Sequence, residues 1–138
     1  MRAHWDRGRV VAVSVGGIAG ASLRWAILTS VETGRFPWPV FVINVAGSVL
    51  LGILLAEEWN HPSLRLLLHD AGGIGFCGGL TTFSTFSLEI VNLIRDGDST
   101  TALLYASTSV AAAVAGVTVG AGALRRVRAV TLPLEEAP

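Results

Sequence analysis

Long runs without charge, separated by short polar gaps, constrain this chain more than any other feature. A helix needs about 20 mostly apolar residues to cross a bilayer. Residues 10–30 form the first such run, interrupted only by Arg24, and residues 36–56 carry no charge at all. A third run begins near Leu64, is uncharged from 71 to 88, and continues towards Leu93, while the fourth covers residues 99–124. The polar links at 32–35, 57–62 and 95–98 are short, and such links join antiparallel neighbours. The expected fold class is an all-α membrane protein with four transmembrane helices. Residues 1–9 form an N-terminal cytoplasmic segment, 10–124 the transmembrane domain and 125–138 a C-terminal tail, expected to be disordered from Thr131. Trp5, Trp25, Trp38 and Trp59 all fall near proposed helix ends, where amphipathic rings prefer to sit.

Composition excludes several function classes. Charged residues make up 14% of the chain, against roughly 25% in soluble proteins. Formal net charge is zero, so nothing points to nucleic acid. The single cysteine, Cys77, rules out an internal disulfide, and His4, His61 and His69 have no spacing suited to a metal. The first apolar run is too long for a signal-peptide core and lacks a small-residue exit, so no cleavable leader is expected.

Lipid gives helices no hydrophobic reason to associate, so close backbone packing by small residues matters. Gly16-x-x-x-Gly20, Ser48-x-x-x-Gly52 and Gly116-x-x-x-Gly120 offer it on three runs. The third run is different. Gly72, Gly73, Gly75, Gly78 and Gly79 fall close together, followed by Thr81, Thr82, Ser84, Thr85 and Ser87. Each Gly costs a helix about 1 kcal/mol relative to Ala in water. The expectation is a break between 78 and 82. Broken backbone at membrane depth survives only where protein or a water-filled cavity satisfies it, and freed carbonyls there can coordinate a cation. Gly73-Ile-Gly75-Phe-Cys-Gly78 also matches the dinucleotide fingerprint, but that motif works only between a strand and a helix.

The segment Gly75-Phe-Cys-Gly-Gly-Leu-Thr-Thr-Phe-Ser-Thr-Phe86 resembles the signature of the CrcB/Fluc family of fluoride channels. Gly16-Gly-Ile-Ala-Gly-Ala-Ser-Leu-Arg24 is similar to the family's first-helix pattern and Asn44-Val-Ala-Gly-Ser48 to its second. Tyr105 and Ser109 resemble a polar face of its fourth helix, and the likeness covers residues 10–122. The resemblance implies a passive fluoride channel of the bacterial plasma membrane, built as an antiparallel dimer with a broken third helix. It implies a structural sodium ion, not transported, held by backbone carbonyls of Gly78 and Thr81. It further implies that Asn44, Phe83 and Phe86 face fluoride, with Ser84, Thr85, Tyr105 and Ser109 at polar pore positions. One turn beyond Ser109 this sequence has Ala113 where a further hydroxyl is expected.

The residue types suit that chemistry. Fluoride is small and strongly hydrated, so a pore must replace its water with donors. Asn44 offers an amide NH₂, and Ser and Thr offer hydroxyls. Aromatic rings have a positive edge, and Phe83 and Phe86, three apart, share a helix side. The alternative for the two rings is packing against lipid or core; for Asn44 it is an interhelical hydrogen bond. An intramembrane Arg costs about 2.5–3.5 kcal/mol even on the gentlest scale. Arg24 therefore either snorkels to the interface or attracts anions in a vestibule.

Two other classes compete. A proton-coupled exporter of the small multidrug-resistance type would also be short, four-helical and dimeric, but needs an embedded carboxylate, and the first, second and fourth runs have none. A non-transporting assembly subunit explains the small-residue packing but not the Gly-rich segment followed by Thr-Thr-Phe-Ser-Thr-Phe. Arg placement bears on assembly. The termini and middle gap carry Arg2, Arg7, Arg9, Arg65, Arg125, Arg126 and Arg128, whereas the other side carries Arg35 and Arg95, with Arg24 as a possible third. Positive charge favours the cytoplasmic side. The expected partner is a second copy in a homodimer, or an oppositely oriented paralogue in a heterodimer.

Overall fold

The structure, a computed structural model, describes residues 6–32, 34–56 and 61–131. Arg2, Trp5, Trp59 and the expected tail beyond Thr131 lie outside the described residues. Within them the chain is helical, with no strand. Four helical spans are long and apolar enough to cross a membrane: Arg7–Ser30, Trp38–Leu55, Pro62–Arg95 and Ser99–Val127. Valine, leucine, isoleucine and tryptophan crowd the outward surface, Trp25 and Trp38 among them. Only an apolar surrounding accommodates such a surface. The chain is a multi-pass membrane protein.

Local chemistry places the ends. Helix α1 (Arg7–Ser30) is capped by Asp6, whose carboxylate accepts from the Gly8 N–H at 2.9 Å. Helix α2 (Trp38–Leu55) starts with Pro39 in its first turn, where a missing N–H is not needed. The third span opens with a single turn, α3 (Pro62–Leu64), and continues as a π-helical segment, Arg65–Cys77. An ordinary α-helix was the expectation there; Gly72, Gly73 and Gly75 leave the wider winding free of crowded side chains. The span ends in a turn, α4 (Gly78–Leu80), and helix α5 (Phe83–Arg95). Between those two, Thr81 (φ −77°, ψ 154°) and Thr82 (φ −147°, ψ 125°) are extended. Helix α5 ends in a Schellman turn: Asp98 N–H donates to Leu93 O, Gly97 N–H donates to Ile94 O, and Gly97 takes φ +81°, which suits glycine. Helix α6 (Ser99–Thr131) runs on past Leu124, the last residue of its apolar run.

All three small-residue spacings are used. A Cβ on Gly16 or Gly20 would run into the carbonyl oxygen of Ala71 or Phe76 on the third span. A Cβ on Gly52 would meet Val117 O, and one on Gly120 would meet Val49 O. Thus α1 lies backbone to backbone on the third span, and α2 on α6. A small core of Val40, Phe86 and Tyr105 fills the space beside α5, with Phe36 and Phe41 packed against it. The dinucleotide-like glycines lie inside the helical third span, with no strand before them among the described residues.

Candidate functional site

The extended pair Thr81–Thr82 organises the site. In a continuing helix the Thr82 N–H would go to Gly78 O. Here it donates to Asn44 Oδ1 at 2.8 Å, and Asn44 Nδ2 donates to Thr82 O at 3.0 Å. The amide of α2 thus stands in for a missing turn of helix and satisfies backbone that lipid cannot. Because Asn44 has two N–H donors, one remains after this clamp. The Thr82 hydroxyl caps α5, accepting from Thr85 N–H at 3.2 Å. It also reaches Thr85 Oγ1 at 3.1 Å and Ser84 Oγ at 3.2 Å. Thr82 was not among the expected site residues, although Thr at an N-cap three before another Thr is a readable signal.

Beside the clamp lies a cavity of about 250 Å³. It is lined by Asn44, Thr81, Thr82, Phe83, Phe86 and Ser109, with Ser48, Leu51, Val110 and Ala113 completing the wall. Phe83 and Phe86 stand 5.7 Å apart between ring centroids. Their settings differ sharply: Phe83 is 79% exposed, whereas Phe86 is 8% exposed and leans on Tyr105 at 5.2 Å. Ser109 is buried, and its hydroxyl has no hydrogen-bond partner. A buried unmet hydroxyl costs about 1–3 kcal/mol, so it marks a place for an acceptor. Ala113 lies on the same wall, which is therefore apolar where one more hydroxyl was expected.

Five expected site residues lie away from this cavity's lining. Ser84 and Thr85 gather around the Thr82 hydroxyl. Tyr105 is fully buried behind Phe86, and its hydroxyl donates to Glu89 at 2.6 Å. Gly78 is exposed, and a Cβ there would meet nothing. Arg24 lies within α1 and donates from Nη1 to Thr81 O at 2.9 Å. It neither snorkels free nor stands in open space. The run 71–88 is uncharged, but just before it Asp70 is 1% exposed, so the third span does hold a buried carboxylate. Both of its oxygens are engaged by Arg9, which leaves it poorly suited to shuttle protons. Among the described residues there is no cluster of three His, Cys, Asp or Glu able to hold a metal.

Outside the spans, one ion pair ties two links together. Arg35 Nε meets Asp98 Oδ2 at 2.7 Å. The hydrogen bond from Arg35, and then that from Thr101, hold the Asp98 carboxyl down at about 2.

The sequence is also similar to known proteins. The model of the family described as CrcB-like protein, Camphor Resistance (CrcB), matches residues 11–121. The chain is 42% identical over 122 residues to the fluoride-specific ion channel FluC 2 of Nocardia farcinica, covering 87% of each. It is 43% identical over 123 residues to the fluoride-specific ion channel FluC of Novosphingobium aromaticivorans, covering 83% of this chain and 94% of that one. It is 41% identical over 116 residues to the FluC 2 channel of Bacillus subtilis, covering 84% of this chain and 87% of that one.

Proposed function

Since the chain belongs to the CrcB family, we propose that it is a fluoride-selective channel through which cytoplasmic fluoride leaves the bacterial cell down its gradient. One observation carries this reading: a single cavity gathers the spare Asn44 N–H, the unpaired Ser109 hydroxyl and the rings of Phe83 and Phe86. Donors and positive ring edges suit a small anion that must exchange its water and still move on. Ion passage makes and breaks no covalent bond, so the chain is no enzyme.

The discontinuity at Thr81–Thr82 is the family's broken third helix in this reading. An antiparallel pair of chains would place the exposed Gly78 and Phe83 at the subunit contact. Two backbone carbonyls are suited to the sodium that the family implies. The Gly78 carbonyl has lost its helical partner, because Thr82 N–H is spent on Asn44. The Thr81 carbonyl accepts from Arg24 and keeps one lone pair. Gly78 and Thr81 would hold the ion, which would offset the dipoles of carbonyls brought together from two chains. Arg24 is the positive group next to that backbone and lends the site an anion-attracting potential.

Purified protein in liposomes tests the proposal. Fluoride should pass without a pH gradient, and chloride should be excluded. Equal leakage of both halides, or flux only under a proton gradient, would remove the channel reading.

A further inference from the structure

Asp70 is a buried carboxylate that the proposed pathway does not use. Arg9 of α1 grips it with a fork, Nε to Oδ2 at 2.8 Å and Nη2 to Oδ1 at 3.0 Å, and His69 Nδ1 lies 2.8 Å from Oδ1. Arg9 itself is 46% exposed and sits in the first turn of α1, so this pin lies at the helix's N-terminal end. The second polar tie between α1 and the third span is Arg24 to Thr81 O, fifteen residues further along α1. Between them, four glycines let the two backbones approach directly. Gly16 lies on Ala71 and Phe76, Gly20 on Phe76 and Leu80, Gly75 against Val13, and Gly79 against Gly17. Helices usually fix their relative register by side-chain ridges seated in grooves. A glycine seam has no ridges, and lipid supplies no hydrophobic force to hold it.

We propose that the Arg9–Asp70 pair, steadied by His69, sets the axial register of α1 on the third span and thereby delivers Arg24 to the Thr81 carbonyl. Asp70 is then a positioning residue for the ion site, acting at a distance of about 22 Å along a rigid helix. As a statement about flux, this rests on the channel reading above; as a statement about register, it does not. A bidentate fork suits the task, since it fixes orientation as well as distance.

A double-mutant cycle between Asp70→Asn and Arg24→Gln tests it, read by fluoride flux in liposomes and by melting in detergent. Sites this far apart ordinarily act independently. If Asp70 works through Arg24, Asp70→Asn alone lowers flux about tenfold but lowers it no further in the Arg24→Gln background. The melting losses of the two single changes should likewise exceed the loss in the double variant. Asp70→Glu should recover most of the flux. Where Asp70→Asn does not fold, Arg9→Lys takes its place: it keeps the charge, loses the fork, and should show the same non-additivity at smaller amplitude. Multiplicative flux losses with additive melting losses would overturn the inference. A wild-type protein without fluoride flux but with a coupled melting cycle would remove the channel reading and keep the register lock.

Discussion

Replacing Asn44 with Ala removes both hydrogen bonds to the extended Thr82 backbone. Each Thr82 backbone group left without a partner costs about 1–3 kcal/mol, so the melting temperature should fall measurably. Flux should fall far more, because the spare donor in the cavity goes with the clamp. Melting curves and liposome flux on the same variant separate these two effects, and a flux loss no larger than the stability loss would reduce Asn44 to a strut. The two phenylalanines make a sharper pair. Phe86→Ile breaks a ring contact with Tyr105 worth about 1 kcal/mol and should lower both melting temperature and flux. Phe83→Ile removes a largely exposed ring, so flux should drop while the melting temperature falls less than in Phe86→Ile. Wild-type flux in both variants would return the rings to ordinary packing. The spacing of Phe83 and Phe86 announced a shared side; their unequal burial comes from Tyr105, which α6 delivers from nineteen residues downstream of Phe86.

Between elements, the links carry a pH-dependent tie. The folded-state pKa of Asp98, about 2, lies below the ordinary carboxylate value, so its pairing with Arg35 stabilises the fold fully above about pH 4. That stability is lost as pH falls towards 2, when the carboxylate takes up a proton. Melting temperatures measured from pH 5 down to pH 2 should fall more steeply in wild type than in Asp98→Asn; parallel curves would show that the pair contributes nothing. The adjoining turn depends on Gly97 at φ +81°. Gly97→Ala should cost about 1–2 kcal/mol, because a Cβ strains left-handed backbone. At the helix seams no relaxation is available: Gly52→Val drives a side chain into the Val117 carbonyl and should prevent α2 and α6 from docking.

For the whole molecule, the distribution of positive charge bears on pairing and direction. The side holding the termini and the middle link carries Arg7, Arg9, Arg65, Arg125, Arg126 and Arg128 among the residues described, together with Arg2, against Arg35 and Arg95 opposite. Positive charge retained in the cytoplasm therefore favours both termini inside. We expect a C-terminal tag to be reachable mainly from the cytoplasmic face, and the chain to pair with an oppositely biased paralogue. Equal labelling from both faces, or robust fluoride flux from this chain expressed alone, would favour a dual-topology homodimer. Thorough removal of sodium should abolish flux if the Gly78 and Thr81 carbonyls hold the ion; unchanged flux would discard that site.

Span number and membrane residence were legible in the sequence because a bilayer imposes its demand locally: about 20 apolar residues in a row, whatever their neighbours do. The small-residue seams were legible for a similar reason, since spacing on one helix determines which residues share a face. The partners of polar groups were not legible. Asp70 sits beside a histidine at the margin of an uncharged run, and nothing local says that Arg9, sixty-one residues away, closes on it. Arg24 offered two readings, and docking against the third span produced another, a bond to Thr81 O. Ser109 and Asn44 meet in one cavity only because α2 and α6 pack glycine to backbone beside the extended Thr81–Thr82 pair. Apolar length is a property of a segment, whereas the satisfaction of a buried polar group depends on two segments at once, and only the tertiary structure brings them together.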